Sequence, residues 1–323
     1  MKKILALLLT FALLATFMIG CGKEEVASVK MRIAGLKGPT TMGLVKVMED
    51  AEKGETKNEY EFTVAGTADE ITPLLLKGEL DLAAVPANLA SVLYNRSEGE
   101  IVTLAVNTLG VVYIVEKGDT IANIEDLRGK TIYATGQGST PEYALRYILK
   151  KNGIDPDKDV DLQFKSQPDE VVALLKKADS GVAMLPQPYV TVAGNNVEGL
   201  SIKIDLTKEW EKIDSESMFL TGVMVVRREF LEENEAAVGE FLKEYKASTE
   251  WVNANVDEAA ALIEKVGIVK APIAKKAIPY CNITYIDGDK MQAALSGYLK
   301  VLFDLNPKAV GGKLPADDFY YGK

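Results

Sequence analysis

Apolar and polar positions follow the same order twice in this chain, at an offset of one hundred residues. Residues 69–86, DEITPLLLKGELDLAAVP, and residues 169–186, DEVVALLKKADSGVAMLP, agree at seven of eighteen positions and mostly exchange small or apolar residues at the others. Ahead of these segments, apolar residues alternate with polar ones at 60–64 and at 160–164, and a period of two is typical of a strand. The repeat therefore predicts two structural units of one kind.

Each copy is predicted to run strand, helix, strand, helix, strand, with polar turns between the pieces. Strands that alternate with helices of this length favour βαβ units, in which helices cover a parallel sheet. We therefore expect an α/β fold of two lobes, each a mainly parallel sheet flanked by helices, with a ligand cleft between the lobes. In the first copy the pieces cover residues 31–36, 41–51, 60–65, 69–77 and 80–85.

Two long apolar stretches predict where the chain passes between the lobes. The first is interrupted at Gly110 and the second contains Gly222, and glycine tolerates the backbone bend that a crossing needs. We therefore predict a discontinuous lobe 1, residues 30–110 with 222–323, and a continuous lobe 2, residues 111–221. Apolar periodicity predicts further helices at 235–255, 257–266, 271–277 and 290–304.

The first residues resemble a lipoprotein signal. Lys2 and Lys3 precede an apolar run, residues 4–19, and Gly20 stands directly before Cys21. Sixteen apolar residues fall short of the roughly 20 that span a membrane, which disfavours the alternative of a single transmembrane anchor. We predict a signal peptide at 1–20, a lipid on Cys21, a linker at 21–29 and a location outside the cytoplasmic membrane, at the cell surface or in the periplasm.

Composition excludes several functions. The net charge of −10 disfavours nucleic acid as a partner, because an acidic chain repels phosphate backbones. The chain has no histidine, which removes the most common general base and the most common metal ligand together. With Cys21 acylated, Cys281 has no partner, so we predict a buried thiol and no disulfide. The sequence thus predicts no catalytic residue, no metal and no cofactor.

The polar turns of the repeat are the candidate binding loops, because ligands of open parallel sheets bind outside the carboxyl ends of the strands. In lobe 1 these loops are residues 37–41, 66–68 and 86–88, and in lobe 2 they are 136–140, 166–168 and 186–188. They are rich in hydroxyl, amide, glycine and proline residues between apolar segments. The candidate ligand-binding residues are Gly38, Thr40, Thr41, Thr67, Asn88, Gln137, Ser139, Thr140 and Gln187.

Several candidates have a structural alternative. Thr67 and Ser139 fit the spacing S/T-x-x-E of a capping box, and we expect both to cap a helix; a capped helix N-terminus can also attract an anion. Gly38 is expected to act through the backbone of its turn. Some aromatic residues near the loops could stack on a planar ligand, although core packing is the better expectation for each: Tyr113, Tyr143, Tyr189 and Phe219.

Residues 124–164, IEDLRGKTIYATGQGSTPEYALRYILKKNGIDPDKDVDLQF, resemble a stretch found in the type II solute-binding proteins of ABC importers. With KGELDLAAVPANLA at 77–90 and the lipobox, the chain is similar to the nitrate, sulfonate, taurine and pyrimidine-precursor binding group. The resemblance implies a monomer whose two lobes close on a small molecule and then dock on a membrane permease. By position, it implies ligand contacts from Thr40, Thr41, Thr67, Asn88, Ser139, Thr140 and Gln187.

The charge of the loops bears on the ligand. The six loops contain only Lys37 and no arginine, unlike those of the members that bind small inorganic anions. This departure favours a sulfonate held by helix N-termini, or a neutral or aromatic heterocycle such as a pyrimidine precursor. A surface receptor or sensor of the same fold is an alternative. The pyrimidine-precursor synthases that resemble this family consume a histidine of their own chain, which this chain lacks, so we predict no enzyme activity.

Overall fold

The structure is a computed structural model that describes residues 28–214 and 217–322. The predicted signal peptide, the lipidation site Cys21 and most of the predicted linker lie outside the described residues.

The strands are β1 (Lys30–Leu36), β2 (Glu59–Ala65), β3 (Leu82–Pro86), β4 (Ile101–Leu109), β5 (Val112–Lys117), β6 (Thr131–Ala134), β7 (Asp161–Phe164), β8 (Gly181–Pro186), β9 (Leu200–Asp205), β10 (Leu220–Arg227) and β11 (Ile283–Ile286).

Helices cover both faces of the sheets. Short 3-10 turns also occur at Ile124–Leu127, Ile278–Tyr280, Pro307–Val310 and Asp317–Phe319. The α-helices are α1 (Pro39–Met42), α2 (Val45–Lys53), α3 (Ala68–Leu76), α4 (Ala87–Arg96), α5 (Thr140–Lys151), α6 (Pro168–Lys177), α7 (Tyr189–Asn196), α8 (Leu206–Ile213), α9 (Arg228–Glu233), α10 (Glu235–Ala254), α11 (Val256–Lys265), α12 (Ala271–Ala277) and α13 (Gly288–Leu305).

The repeat in the sequence is a repeat in the structure. In the first sheet β1 lies between β2 and β3 and is parallel to both, and in the second sheet β6 lies between β7 and β8 in the same way. The carboxyl ends of each set of three strands therefore meet at one edge of their sheet. The two predicted βαβ units are confirmed, and so is the α/β fold with two sheets.

The expectation that each sheet is mainly parallel is wrong in detail. The first sheet has the order β11-β4-β10-β3-β1-β2 and the second has the order β7-β6-β8-β5-β9. Beyond the repeat strands, β10 pairs antiparallel with β3 and β4, and β5 pairs antiparallel with β8 and β9. These strands come from the segments that pass between the sheets, so no βαβ crossover fixes their direction. Both sheets are mixed.

The glycines predicted at the crossings are required by close packing. A Cβ atom at Gly110 would lie 2.2 Å from the Thr207 hydroxyl and 2.5 Å from the Phe219 ring. A Cβ atom at Gly222 would lie 2.3 Å from Cγ2 of Thr40. Sheet 1 draws its strands from residues 30–109 and 220–286, and sheet 2 draws its strands from residues 112–205. The limits of the two lobes themselves stay a prediction.

Aromatic rings pack at the connection between the two sheets. Trp210 is fully buried, and its ring centre lies 4.6 Å from Tyr147, 5.5 Å from Phe219 and 5.5 Å from Tyr298. These four residues come from α8, α5, the segment before β10, and α13. Large rings contribute most to cores of this kind, so the cluster stabilises the place where the chain returns from the second sheet to the first.

Candidate ligand-binding cleft

The six loops that follow the repeat strands border one cleft between the two sheets. The cleft has an outer chamber of 530 Å³ and an inner chamber of 160 Å³. The two chambers are continuous, because they share lining residues from both halves of the molecule: Leu36, Lys37, Pro86, Ser139, Pro168 and Tyr189. A cleft of this size suits a small molecule.

Three helices begin at the outer chamber. It is lined by Thr67 at the start of α3, Ser139 at the start of α5 and Gln167 at the start of α6. The N-terminus of a helix carries a partial positive charge, so three converging termini favour an anion. Gln137, another predicted residue, also lines this chamber and is exposed.

Two lysines, one from each half of the repeat, line the outer chamber. Lys37 follows β1 and Lys165 follows β7, and the Asp69 carboxylate lines the same chamber. The sequence reasoning missed Lys165, because that residue precedes the predicted loop 166–168 by one position. The signal that could have found it is its place directly after Phe164, the last residue of a repeat strand.

Ser139 does not form the predicted capping box. It occupies the N-cap position of α5 with an extended backbone, but its side chain accepts no capping hydrogen bond. Glu142 instead accepts from the Gly138 N–H at 2.7 Å and from Nε of Arg146 at 2.7 Å. The Ser139 hydroxyl therefore has no hydrogen-bond partner within the described residues, and it lines both chambers.

Thr67 combines the two predicted roles. Its backbone N–H and its hydroxyl donate to the Glu70 carboxylate at 2.9 Å and 3.0 Å, at the start of α3. It also lines the outer chamber. The pairing with Glu70 fixes the first turn of the helix, and so fixes the N-terminus that faces the chamber.

The inner chamber has an apolar wall and one buried amide. Gln187 is 2% exposed, and its side-chain oxygen accepts from the Thr191 hydroxyl at 2.9 Å. The predicted residues Gly38, Thr40 and Thr140 also line this chamber. Its apolar wall consists of Leu36, Pro39, Pro86, Val111, Pro141, Pro168, Pro186 and Tyr189.

Two predicted residues line neither chamber. The Thr41 hydroxyl donates to the Leu36 carbonyl at 2.6 Å and so stabilises the loop after β1. The Asn88 amide nitrogen donates to the Ala309 carbonyl at 3.1 Å and to the Gly138 carbonyl at 3.4 Å. Both residues are buried, and the hydrogen bonds of their side chains are made within the protein. They therefore support the loops that border the cleft without lining it themselves.

Among the four candidate aromatic residues, Tyr189 is the one that lines the cleft. It borders both chambers, and burial raises the pKa of its hydroxyl, with a further contribution from the Asp169 carboxylate. Tyr189 is thus neutral at physiological pH and can donate a hydrogen bond or stack on a ligand. Phe219 stacks on Trp210 in the core, and Tyr113 and Tyr143 line neither chamber.

A further hollow of 610 Å³ lies between α5 and α13, away from the repeat loops. Its lysines include Lys150, Lys151 and Lys300, and Lys300 is paired with Asp304 at 2.8 Å. Loops after the repeat strands do not reach it. Of the two places, the cleft is the one where helix N-termini and unpaired polar groups converge, which makes it the candidate binding site.

In residues 28–214 and 217–322, no group of three or more His, Cys, Asp or Glu side chains could hold a metal ion. Within the same ranges, none of the helices is both long and apolar enough to cross a membrane.

The fold is shared with proteins that bind solutes for ABC importers. The crystal structure of an ABC transporter from Parabacteroides distasonis is 24% identical, with a TM-score of 0.75, and the match covers 92% of this chain and 99% of that one. The periplasmic aliphatic sulphonate binding protein SsuA from Escherichia coli is 17% identical, with a TM-score of 0.71 and coverages of 91% and 94%.

A third similar structure is the ligand-binding component of an ABC-type import system from Staphylococcus aureus, solved with zinc. It is 14% identical, with a TM-score of 0.71 and coverages of 91% and 97%. A search of curated protein sequences gave no significant match. At these identities the solved structures establish the two-lobed fold and nothing about this chain's ligand.

A family model decides the class of protein. The model for the phosphonate periplasmic substrate-binding protein of ABC transporters matches residues 48–276. The chain belongs to this family. It is therefore a periplasmic solute-binding component of an ABC importer, which binds a small molecule and works with a permease, and it is not an enzyme. The resemblance found in the sequence is confirmed.

Proposed function

We propose that the protein captures a small organic anion, a phosphonate or a sulfonate, in the cleft and delivers it to the permease of an ABC importer. The observation that carries the proposal is the convergence of Lys37, Lys165 and three helix N-termini on the outer chamber. Lysine side chains and helix N-termini both stabilise a phosphonate or sulfonate group. The sequence assigned one cation, Lys37, to the six loops, and Lys165 is a second cation at the same cleft. Two cations favour an anion over a neutral heterocycle.

Capture works through closure of the lobes. The lining groups come from both halves of the molecule, with Lys37 and Thr67 on one side and Ser139 and Lys165 on the other. An anion that contacts both sides binds the closed arrangement more tightly than the open one. Binding energy then selects the closed state, which is the form expected to dock on the permease.

The proposal includes a lipid anchor. Lys2, Lys3, the apolar run and Gly20-Cys21 support cleavage before Cys21 and acylation of that residue, which would hold the protein at a membrane surface. Mass spectrometry of the N-terminal peptide tests this part. A diacylglyceryl group on Cys21 is expected, and an unmodified Cys21 in protein from the native envelope would overturn it.

Calorimetric titration of the purified protein tests the ligand class. Methylphosphonate and ethanesulfonate should bind, and neutral analogues of equal size, such as dimethyl sulfone, should not. Lys165→Met removes one charge-assisted contact and should weaken anion binding by about 10- to 100-fold. Lys150→Met, at the exposed end of α5 outside the cleft, is the matched control and should bind as the parent does.

Two results would count against an anion site. Equal affinity for the neutral analogues would remove the role of charge, and an unchanged affinity in Lys165→Met would remove the role of this lysine. Import is separated from sensing by reconstitution with the permease and ATPase, because import requires ATP-driven uptake of the bound anion.

A further inference from the structure

We infer that Gln187 selects the end of the ligand that is opposite the anionic group. The inner chamber takes a short organic anion whose second polar group is an uncharged hydrogen-bond acceptor, such as a hydroxyl or a carbonyl, and disfavours one that ends in an ammonium group. The inference rests on the proposed function, because an anion held in the outer chamber directs the rest of the ligand inward.

The orientation of the Gln187 amide follows from its neighbours. The side-chain oxygen accepts from the Thr191 hydroxyl at 2.9 Å and from the Thr191 N–H at 3.4 Å. The Thr191 N–H can only donate, so the acceptor end of the amide faces Thr191 and the hydroxyl donates to the same oxygen. The NH₂ group is left for the chamber, and it has no acceptor in the parts of the chain that the structure describes.

The Gln187 side chain is 2% exposed, and its polar atoms are not among those that are both sealed from solvent and without a hydrogen-bond partner. Since the NH₂ group has no acceptor in the described residues, it keeps contact with solvent and is reachable from the chamber. A ligand oxygen that reaches it replaces water as its acceptor. A hydroxyl or carbonyl oxygen of a ligand can accept from it.

Charge in the inner chamber argues against an ammonium group. No Asp or Glu occurs among its lining residues in the described ranges, and Lys37 is the charged residue that lines it. An ammonium group has donors only, so it cannot accept from the Gln187 NH₂ group. It would also lose water without gaining a carboxylate partner, which is costly for a charge.

Size limits the ligand further. The inner chamber is the smaller of the two, with 160 Å³ against 530 Å³ for the outer chamber. The wall of prolines and Tyr189 fits methylene groups. The inner chamber therefore suits a short carbon chain that ends in one polar oxygen.

The test compares three tails on each of two anionic heads. Ethyl, 2-hydroxyethyl and 2-aminoethyl forms of phosphonate and sulfonate are titrated into the purified protein at pH 7. One neutral hydrogen bond at about 1 kcal/mol predicts that the hydroxyethyl form binds about fivefold more tightly than the ethyl form. The aminoethyl form should bind at least about tenfold more weakly than the hydroxyethyl form.

Variants assign the preference to one side chain. Gln187→Met keeps the length of the side chain and removes the donor, so the hydroxyethyl-to-ethyl ratio should fall to about one. Gln187→Glu supplies a carboxylate, so the aminoethyl form should gain relative to the hydroxyethyl form. Gln163→Met is the matched control, because Gln163 lies on β7 outside the cleft and bonds Asp161 at 2.7 Å. Its ratios should equal those of the parent.

Outcomes separate the inference from the proposed function. If both anions bind but Gln187→Met keeps the parent's ratios, the role of Gln187 is overturned and the anion site stands. If the aminoethyl forms bind best in the parent, the ligand class inferred for the inner chamber is wrong. If neither phosphonates nor sulfonates bind, the proposed function fails and the inference fails with it.

Discussion

The Thr140 hydroxyl donates a hydrogen bond to the side-chain oxygen of Asn88 over 3.2 Å, between the first residue of α5 and the second residue of α4. The Asn88 amide nitrogen donates in turn to the carbonyls of Gly138 and Ala309. One buried side chain thus ties the loop 136–140 of the second repeat to the opposite lobe. Ser139, whose free hydroxyl lines the cleft, lies between the two residues of that loop that Asn88 holds.

Asn88→Ala should therefore weaken both the fold and the site. It removes three hydrogen bonds, two of them buried, which predicts a loss of about 2–3 kcal/mol in the free energy of unfolding. Without the bonds to Gly138 and Thr140, the loop should lose its fixed position, and the affinity for the anion should fall about tenfold or more. Urea unfolding measures the first effect and calorimetric titration measures the second.

Asn95→Ala separates the two effects. Asn95 lies on the same helix as Asn88 and donates to the carbonyls of Val310 and Lys313, both at 2.7 Å, so its bonds do not involve the loop 136–140. Its loss should reduce stability to a similar degree and change affinity by less than about twofold. Equal losses of affinity in the two variants would mean that Asn88 acts through general stability alone.

The repeated strands could be predicted because their signal is local. Alternation of apolar residues placed β2, and the repeated order of apolar segments placed β1 and β3, each within two residues of the observed limits. The directions of β5 and β10 could not be predicted, because their partners are distant in sequence, as in the pairing of Gly222 with Pro86. For the same reason the predicted helix at 41–51 is two helices, separated where Gly43 packs against Thr249 of α10.

Loop positions predicted the cleft, but the contacts of single side chains depend on competition among neighbours. Ser139 and Glu142 have the spacing of a capping box, yet Arg146 and the Gly138 N–H take the carboxylate. A local motif cannot show which donor wins, and this is why the role of Ser139 changed. Asn88 was predicted to contact the ligand, and its role in this structure depends on Ala309, which is 221 residues away.

Gly222→Ala should disturb the inner chamber through Thr40. The added Cβ would lie 2.3 Å from Cγ2 of Thr40 and 2.6 Å from Oδ1 of Asn107, closer than atoms can approach. The strand or Thr40 must shift, at an expected cost of about 1–3 kcal/mol in the free energy of unfolding. Adding Thr40→Ser removes one of the two clashing atoms and should restore part of the stability, as measured by urea unfolding.

Gly239→Ala provides the control for this prediction. Gly239 lies inside α10, and a Cβ atom there would meet nothing within 4 Å. Alanine favours a helix over glycine by about 1 kcal/mol, so this variant should be neutral or more stable. If Gly222→Ala behaved in the same way, the close approach of Thr40 would not restrict position 222.

Cys281 should resist thiol reagents in the folded protein. It is fully buried, and burial raises the pKa of its thiol well above the usual value, so almost no thiolate forms at pH 8. In a Cys21→Ser protein, Cys281 is the remaining cysteine of the sequence. A chromogenic disulfide reagent should label Cys281 only after the protein has been unfolded in urea. In the positive control, Ser166→Cys adds an exposed thiol at the outer chamber. That thiol should react at once in the absence of ligand and more slowly when ligand is bound. Rapid labelling of Cys281 under native conditions would show that lobe 1 opens.

Asp81 should make part of the stability depend on pH. Its side chain is 1% exposed, and Nε and Nη2 of Arg32 donate to it at 2.9 Å and 2.5 Å. Burial alone would raise the pKa of Asp81, but the hydrogen bonds and charge of Arg32, with help from Arg227, lower it overall. The carboxylate is therefore stabilised in the fold relative to the unfolded chain, where the pKa of an Asp is about 3.9.

A depressed pKa fixes the direction of the effect. The stabilisation from Asp81 is present above the ordinary pKa of an Asp and is lost as the pH falls through the lower pKa of the folded state. At pH 7, Asp81→Asn should reduce the free energy of unfolding by about 2–3 kcal/mol, because it weakens bonds to charged groups. Below about pH 4 the difference from the parent should shrink.

Asp119→Asn is the control: Asp119 is 97% exposed beside Lys203, so its removal should change stability little at any pH. A difference between Asp81→Asn and the parent that stayed constant down to pH 2 would show that the charge of Asp81 does not stabilise the fold.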